Sequence, residues 1–155
     1  MSDFVIRQFT PGDLLDVIEI EERVYGSGAY RPLFLRQLYD LFPTLIWVAE
    51  ADGRIVGHLC GAIAEDRQTG MIVNAGVLAR YRRQGIGRAL LDRGIESLVT
   101  AGANHIRITA DESNEPAIRL YKERGFQQIG MGADYYGDGR DRLIFEIWPQ
   151  GDKTP

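Results

Sequence analysis

The hydrophobic positions of this chain follow two different periods, and the changes of period divide the chain into helices and strands. Apolar residues that recur every three or four positions predict helices at residues 14–25, 32–42, 85–101 and 114–124. Short runs rich in β-branched and aromatic residues predict strands at residues 4–9, 45–50, 54–64, 70–78, 106–110, 126–131 and 143–148. The predicted order of elements is therefore β-α-α-β-β-β-α-β-α-β-β.

Turn residues support these boundaries and indicate how the strands pair. Thr10 and Pro11 precede the first helix, where a hydroxyl can cap free N–H groups and where proline lacks an N–H that would need a partner. The dipeptide Asp52-Gly53 predicts a hairpin, so the strands between residues 45 and 78 should form an antiparallel meander. The strand–helix–strand unit over residues 71–110 should be a right-handed parallel crossover. The predicted fold class is thus α/β, with a mixed sheet of the α+β type.

Composition narrows the class of protein. The 155 residues suit one domain, which we expect to span residues 1–150, with a loose C-terminal tail at 151–155. Cys60 is the single cysteine, so an internal disulfide is excluded, and no apolar run is long enough to span a bilayer. We therefore expect a cytoplasmic protein, monomeric or homodimeric, without a membrane partner. The formal net charge of −4 argues against a nucleic-acid partner.

A basic loop before the third helix carries the first chemical signal. Residues 82–87 have the form R-x-x-G-x-G and stand where a predicted strand ends and a helix begins. The N-terminus of a helix offers free N–H groups and a partial positive charge, which suit a pyrophosphate. Gly85 and Gly87 lack Cβ atoms, so an anion can approach the backbone closely. Four arginines concentrate positive charge here, namely Arg80, Arg82, Arg83 and Arg88.

Two common glycine-rich phosphate motifs do not fit this segment. A dinucleotide-binding fingerprint needs a third glycine, and Leu90 occupies that position. A phosphate-binding P-loop needs Gly-Lys-Ser/Thr, which is absent from this segment. An ordinary loop followed by a glycine-rich helix start remains an alternative to an anion site. His58 and His105 have no second ligand at metal-binding spacing, so we expect no metal.

A second motif lies downstream and changes the interpretation of the first. Residues 114–126 resemble the N-x-x-A-x-x-L-Y-x-x-x-G-F motif of the GNAT superfamily of N-acetyltransferases, and the basic loop resembles the acetyl-CoA motif of that superfamily. The resemblance implies the GNAT fold, in which a central pair of strands splays apart. It also implies acetyl-CoA as co-substrate, an amine as acceptor, and direct attack of the amine on the thioester in a ternary complex.

The resemblance also implies roles for individual residues. Tyr121 would be the general acid that protonates the departing thiolate, although a core aromatic is the alternative. Asn114 would contact the cofactor, with a plain helix N-cap as the alternative. The backbone of a strand segment would bind the pantetheine arm and polarise the thioester carbonyl. The residues that the resemblance assigns to acetyl-CoA are Ala75, Gly76, Val77, Arg82, Arg83, Gln84, Gly85, Ile86, Gly87, Arg88 and Asn114.

A third segment bears on the acceptor. Residues 135–141 resemble the Y-Y-x-D-G-x-D segment of N-terminal protein acetyltransferases, including the ribosomal-protein-alanine type, although a tight polar hairpin loop would explain the same residues. The resemblance implies that Tyr135 and Tyr136 line a peptide site. We expect the short segment from Tyr25 to Pro32 to shape the acceptor site. The alternatives are a small-molecule amine acceptor, such as a polyamine, an amino sugar or an amino acid, and a non-catalytic acyl-CoA-binding domain.

One position departs from that subfamily. Its members often carry a glutamate as general base five residues before the asparagine, and Thr109 stands there in this chain. Asp111, Glu22 or a base acting through ordered water could take its place. The sequence does not choose among these three.

Overall fold

The computed structural model of the protein describes residues 3–151, so the predicted tail at 151–155 lies outside the described residues apart from residue 151. The helices are α1 (Leu14–Tyr25), α2 (Pro32–Leu41), α3 (Ile86–Thr100) and α4 (Glu115–Glu123). The strands are β1 (Phe4–Gln8), β2 (Ile46–Ala51), β3 (Arg54–Ile63), β4 (Thr69–Val77), β5 (His105–Asp111), β6 (Gln127–Gly132) and β7 (Arg142–Ile147).

The predicted order of elements is confirmed, and every helix or strand ends within one residue of its predicted bound. Single turns of 3-10 helix were not predicted, and among the described residues they lie at Pro11–Asp13, Gly26–Gly28 and Ala79–Tyr81. Each is only three residues long, which is too short to show a hydrophobic period.

The strands form one mixed sheet in the order β1-β2-β3-β4-β5-β7-β6. β4 and β5 are parallel, as the predicted crossover requires, and every other neighbouring pair is antiparallel. The parallel pairing is short, since only Thr69, Gly70 and Met71 of β4 are in register with β5. Beyond Met71, β4 continues along β3 while β5 continues along β7. The predicted splay of the central strands is therefore confirmed, and it opens the sheet in the middle.

Helices cover both faces of this sheet. A Cβ on Gly57 of β3 would meet Leu90 of α3, whereas a Cβ on Gly76 of β4 would approach Val24 of α1. Because neighbouring residues of a strand point to opposite faces, and Gly57 is paired with Val77, α1 and α3 lie on opposite sides of the sheet. Within the described chain, no helix is both long and apolar enough to cross a membrane.

Candidate active site

The splay between β4 and β5 opens a cavity of about 700 Å³. Its walls come from the two splayed strands, the start of α4, the segment after α1, and the loop between β6 and β7. Tyr121 and Asn114 lie in its wall, as do the predicted acceptor residues Tyr25 and Tyr136. The remaining lining residues are Ser27, Gly28, Tyr30, Ile72, Val73, Asn74, Ala75, Ile108, Thr109, Ala110, Asp111, Asp138, Arg140 and Arg142.

The edge of β4 that faces the cavity presents backbone groups of Ala75 and Val77. The N–H of Leu78 donates to the Val56 carbonyl of β3, and backbone groups of successive strand residues point in opposite directions. The N–H and C=O groups of Ala75 and Val77 therefore point into the opening. In agreement, the Ala75 carbonyl accepts a hydrogen bond from the Tyr25 hydroxyl. The N–H groups of these two residues are aimed where an oxyanion could be stabilised.

Gly76, between them, has a different geometry from the one that the resemblance implies. It is in register with His58 of β3, so by the same alternation its backbone groups pair with β3 and do not face the cavity. Its side-chain position is crowded, because a Cβ there would lie 3.1 Å from His58 Cε1. Glycine at this position therefore makes room for the His58 ring and offers no donor to the cofactor.

The predicted anion site lies at the start of α3. Arg83, Gly85, Gly87 and Arg88 line a second cavity of about 670 Å³, whose other wall is formed by α4. Arg83 and Gly85 have φ values of 60° and 87°, so the backbone curls here through the left-handed region, as it does in backbone loops that bind anions. α4 contributes residues to both cavities, so the predicted anion site and the opening between β4 and β5 share one wall. Sequence reasoning missed Arg119, a further arginine of α4 in this wall.

Three residues that the resemblance assigns to acetyl-CoA also make contacts within the protein. Arg82 Nε donates to the Val77 carbonyl at 2.9 Å, so its guanidinium lies against the end of β4. Gln84 Nε2 donates to the Arg80 carbonyl at 3.3 Å. The side chain of Ile86 is 1% exposed and belongs to the core, so only its backbone is available to a ligand. These contacts hold the shape of the loop before α3.

Tyr121 lies against the floor of the first cavity. Its ring packs against Phe126 and Phe145, with a centroid distance of 5.9 Å to each. Burial raises the pKa of the Tyr121 phenol to about 12, so the hydroxyl remains protonated at neutral pH. Asn114 caps α4, because its Oδ1 accepts a hydrogen bond from the Ala117 N–H at 3.3 Å. Since Asn114 also lines the cavity, the capping role leaves room for a contact to the cofactor.

The loop between β6 and β7 brings one of its two tyrosines into the cavity. The Tyr136 hydroxyl lies 2.9 Å from Thr109 Oγ1, and the Arg142 guanidinium lies 5.1 Å from its ring centroid. Tyr135 is not among the lining residues. Its ring packs edge-on against Tyr136, with centroids 4.8 Å apart, and lies against the backbone of Gly132, which has no side chain to displace it. Of the two tyrosines that we expect to line a peptide site, only Tyr136 therefore lines this cavity, and Tyr135 supports its ring.

The structure ranks the three alternatives for the general base. Asp111 lines the cavity, but it accepts hydrogen bonds from the N–H and hydroxyl of Ser113 and forms an ion pair of 2.5 Å with Arg140. These contacts lower its pKa, so it is a weak base. Glu22 is exposed on α1 and is not among the lining residues. A water molecule held by groups such as the Thr109–Tyr136 pair is the remaining route.

The replacement Asp111→Asn tests this ranking. We expect kcat to fall by less than about tenfold, whereas loss of a general base costs about 10²- to 10⁴-fold. Steady-state kinetics at several pH values would check the expectation. If kcat fell by about 100-fold and the acidic limb of the pH profile disappeared, Asp111 would be the base after all.

Sequence reasoning missed a buried carboxylate beside Glu22. Glu21 is 1% exposed and contacts His58, Asn74 and the backbone of Tyr30. A signal was present, since Glu21 lies four residues after Val17 and three before Val24, on the apolar stripe of α1. A carboxylate within such a stripe is buried only when partners are available for it.

Comparison with known proteins identifies the class. The model of the acetyltransferase (GNAT) family matches residues 14–126. The chain is 30% identical over 154 residues to an N-alpha-acetyltransferase of Sulfurisphaera tokodaii, with 92% of each chain covered. It is 31% identical over 145 residues to a putative ribosomal protein bS18-alanine N-acetyltransferase of Bacillus subtilis, with 92% of this chain and 93% of that one covered.

A solved structure agrees. Ard1 from Thermoplasma volcanium superposes with a TM-score of 0.85 at 27% identity, and the match covers 93% of this chain and 96% of that one. The chain therefore belongs to the GNAT family of acetyltransferases. It is an acetyl-CoA-dependent N-acetyltransferase.

The residues present fit acetyl-CoA. The curled backbone at Arg83 and Gly85 and the nearby guanidinium groups suit the pyrophosphate, and the opening between β4 and β5 suits an extended arm. No cluster of three or more His, Cys, Asp or Glu side chains within residues 3–151 is arranged to hold a metal ion.

Proposed function

We propose that the protein acetylates the α-amino group of a peptide or protein N-terminus. The observation that carries the proposal is the lack of a strong base in the cavity: Thr109 replaces the usual glutamate, and Asp111 is held by Ser113 and Arg140. Two relatives support it, since one is named an N-alpha-acetyltransferase and the other a ribosomal-protein-alanine N-acetyltransferase.

The acceptor follows from the energetics of deprotonation. Only a neutral amine is nucleophilic, and an α-amino group has a pKa of about 7.7–8.0 whereas a lysine has one of about 10.4. The gap of roughly 2.5 units corresponds to about 3.4 kcal/mol of deprotonation free energy at neutral pH. A site without a strong base therefore favours an α-amine, which is already partly neutral and can release its remaining proton to water.

The transfer step assigns roles to three groups. The amine nitrogen attacks the thioester carbonyl carbon, the new N–C bond forms, and the N–H groups of Ala75 and Val77 stabilise the oxyanion. The C–S bond then breaks, and Tyr121 gives its proton to the sulfur. The nitrogen, which is positively charged after the attack, loses one proton to water, and a proton from water restores the Tyr121 hydroxyl. Burial raises the pKa of the Tyr121 phenol. The same desolvation also raises the pKa of a thiol formed beside it. The difference between the two pKa values is therefore smaller than it would be if only the pKa of Tyr121 rose.

The acceptor site is proposed to lie between Tyr25, at the end of α1, and Tyr136, in the β6–β7 loop, because both line the cavity. Tyr136 is fixed by its contacts with Thr109 and Arg142, so its hydroxyl has a defined position before a ligand arrives. Preorganised contacts of this kind reduce the entropic cost of binding a flexible peptide.

The domain bounds, the cellular location and the oligomeric state belong to the proposal. Residues 1–150 make one catalytic domain, because the sheet includes strands from β1 to β7 and the family match spans most of the chain between them. A cytoplasmic location and a monomeric or homodimeric state stay predictions from composition.

Competition between two peptides tests the acceptor. One peptide carries a free N-terminus and a blocked lysine, and the other carries a blocked N-terminus and a free lysine. We expect the first to be acetylated preferentially near neutral pH, with mass spectrometry locating the acetyl group. Preferential lysine acetylation would contradict the proposal. If neither peptide reacted while a polyamine, an amino sugar or a free amino acid did, the acceptor would be a small amine.

A further inference from the structure

Glu21 is a buried carboxylate that the transfer step does not use. It is 1% exposed, and His58 beside it is 0% exposed. Neither residue lines the cavity, so both lie one layer behind its wall. Burying an ionised group is costly unless it is paired and hydrogen-bonded, so the contacts of this carboxylate indicate why it is here.

The carboxylate joins two walls of the cavity. Glu21 Oε2 accepts a hydrogen bond of 2.9 Å from the N–H of Tyr30, in the segment that follows α1. Glu21 Oε1 accepts a hydrogen bond of 2.6 Å from Asn74 Nδ2, on β4. Tyr30 and Asn74 both line the cavity. Glu21 of α1 therefore connects the segment that follows α1 to β4, the strand that carries the proposed oxyanion donors.

His58 is the third partner of the carboxylate. Its Nε2 lies 2.7 Å from Glu21 Oε1, in a close contact whose angle departs from hydrogen-bond geometry, and within the described residues its Nδ1 has no hydrogen-bond partner. The ring fills the space that Gly76 leaves by having no Cβ. On the α1 face of the sheet, the His58 ring therefore contacts the Glu21 carboxylate and lies beside β4 at Gly76.

Two tyrosine hydroxyls also connect this segment to β4, one at each end of the segment. The Tyr30 hydroxyl donates to the Val73 carbonyl at 3.0 Å, and the Tyr25 hydroxyl donates to the Ala75 carbonyl. The segment between them is exposed over residues 26–28, and Gly26 within it has a φ of 54°. Such a segment has few packing contacts of its own to hold it, so its position depends on these tethers.

We propose that Glu21 is a positioning residue for the acceptor: it holds the segment 25–30 against β4 so that the acceptor amine meets the thioester at the correct angle and distance. The identity of the acceptor in this inference rests on the proposed function, whereas the role of Glu21 in holding the segment does not. A positioning residue of this kind acts on acceptor binding and leaves the α3 anion site unchanged. A merely structural ion pair would instead lower stability and affect both substrates alike.

The test uses the isosteric replacement Glu21→Gln in the full chain. The oxygen of the new amide can still accept from Tyr30, but its NH₂ group stands where Asn74 Nδ2 needs an acceptor. We expect KM for the N-terminal peptide to rise by about tenfold or more, the size expected for loss of a hydrogen bond to a charged group. We expect the Kd of acetyl-CoA, measured by calorimetry, to stay within about twofold.

Hydrogen exchange supplies a readout that needs no acceptor. In Glu21→Gln, the amides of residues 26–31 should exchange faster, while those at the start of α3 should be unchanged. Asp16→Asn is the matched control, because Asp16 is an exposed carboxylate on the same helix, and it should leave KM and exchange as in the wild type. Thermal unfolding by circular dichroism reports on the fold of each variant.

Each outcome decides the matter. Equal changes in acceptor KM and acetyl-CoA Kd, or unchanged exchange at residues 26–31, would overturn the proposal. If Glu21→Gln does not fold, Asn74→Ala removes one tether and keeps the Glu21–His58 contact, and the same selective changes are expected to a smaller degree. If the wild type acetylates neither peptide, the proposed function fails, and the exchange measurements still decide the role of Glu21.

Discussion

Replacing Tyr121 with phenylalanine is expected to lower kcat by about 10²- to 10⁴-fold while the Kd of acetyl-CoA stays nearly unchanged. The ring of the variant keeps its packing against Phe126 and Phe145, so the fold and the shape of the cavity are preserved. Only the hydroxyl is lost, and with it the proton that we propose for the departing sulfur. The thiolate must then leave unprotonated or take a proton from water.

The pH profile adds a second check on Tyr121. The phenol donates only while it is protonated, and burial raises its pKa to about 12, so the wild type should keep its activity on the alkaline side up to about pH 10. The acidic limb should follow deprotonation of the acceptor amine, near pH 8 for an α-amine. Tyr39→Phe removes a hydroxyl from a tyrosine outside the cavity lining and serves as the control. Wild-type turnover in Tyr121→Phe would show that Tyr121 is a core residue only.

The second large effect concerns the anion site, where Gly87→Glu should weaken CoA binding by about 100-fold or more. The new carboxylate would stand at the N-terminus of α3, where the pyrophosphate is proposed to bind, and two like charges about 4 Å apart repel by several kcal/mol near a protein surface. The repulsion falls with added salt. Calorimetric titration with CoA at two salt concentrations would measure both effects.

The surroundings of Gly87 make this variant informative. The nearest atom to a Cβ at this position is Leu120 Cδ2 at 3.8 Å, so a Cβ fits here in ordinary van der Waals contact. Gly87→Ala is therefore a control that folds, adds only a methyl group, and brings no charge. Gly85 would be a poor choice, because its φ of 87° strains any other residue. A Gly87→Glu variant that folds and binds CoA as tightly as the wild type would rule out a pyrophosphate at this site.

Glu21 and Glu22 show where sequence reasoning reached its limit. The helix was predicted at residues 14–25, and α1 spans those residues. The sequence leaves Glu22 as one of three candidates for the base, but the structure exposes Glu22 and buries Glu21. The period of the helix was enough to place Glu21 on the apolar stripe. The partners of Glu21 could not be predicted, because Asn74 and His58 are distant in the chain and no local sequence pattern indicates their contacts with it.

The tyrosine pair at the β6–β7 loop shows the same limit for the acceptor site. The sequence placed Tyr135 and Tyr136 in the loop, and both are there, but only Tyr136 lines the cavity. Neighbouring residues in a loop have no fixed period, so the side chain that turns inward depends on the contacts made elsewhere. Here the contacts of Tyr136 with Thr109 and Arg142 turn its side chain into the cavity.

The sequence by itself determined the elements, their order and the family. Hydrophobic period, caps and turns are local properties, so they placed each helix and strand within one residue, and two motifs at a fixed distance indicated acetyl transfer from acetyl-CoA. Tertiary structure decided how far β4 pairs with β5, which carboxylates are free to act, and which side chains meet in the cavity. Those features depend on contacts between residues distant in the chain, such as Glu21 with Asn74, where hydrogen-bond geometry and burial act together and no local pattern encodes the result.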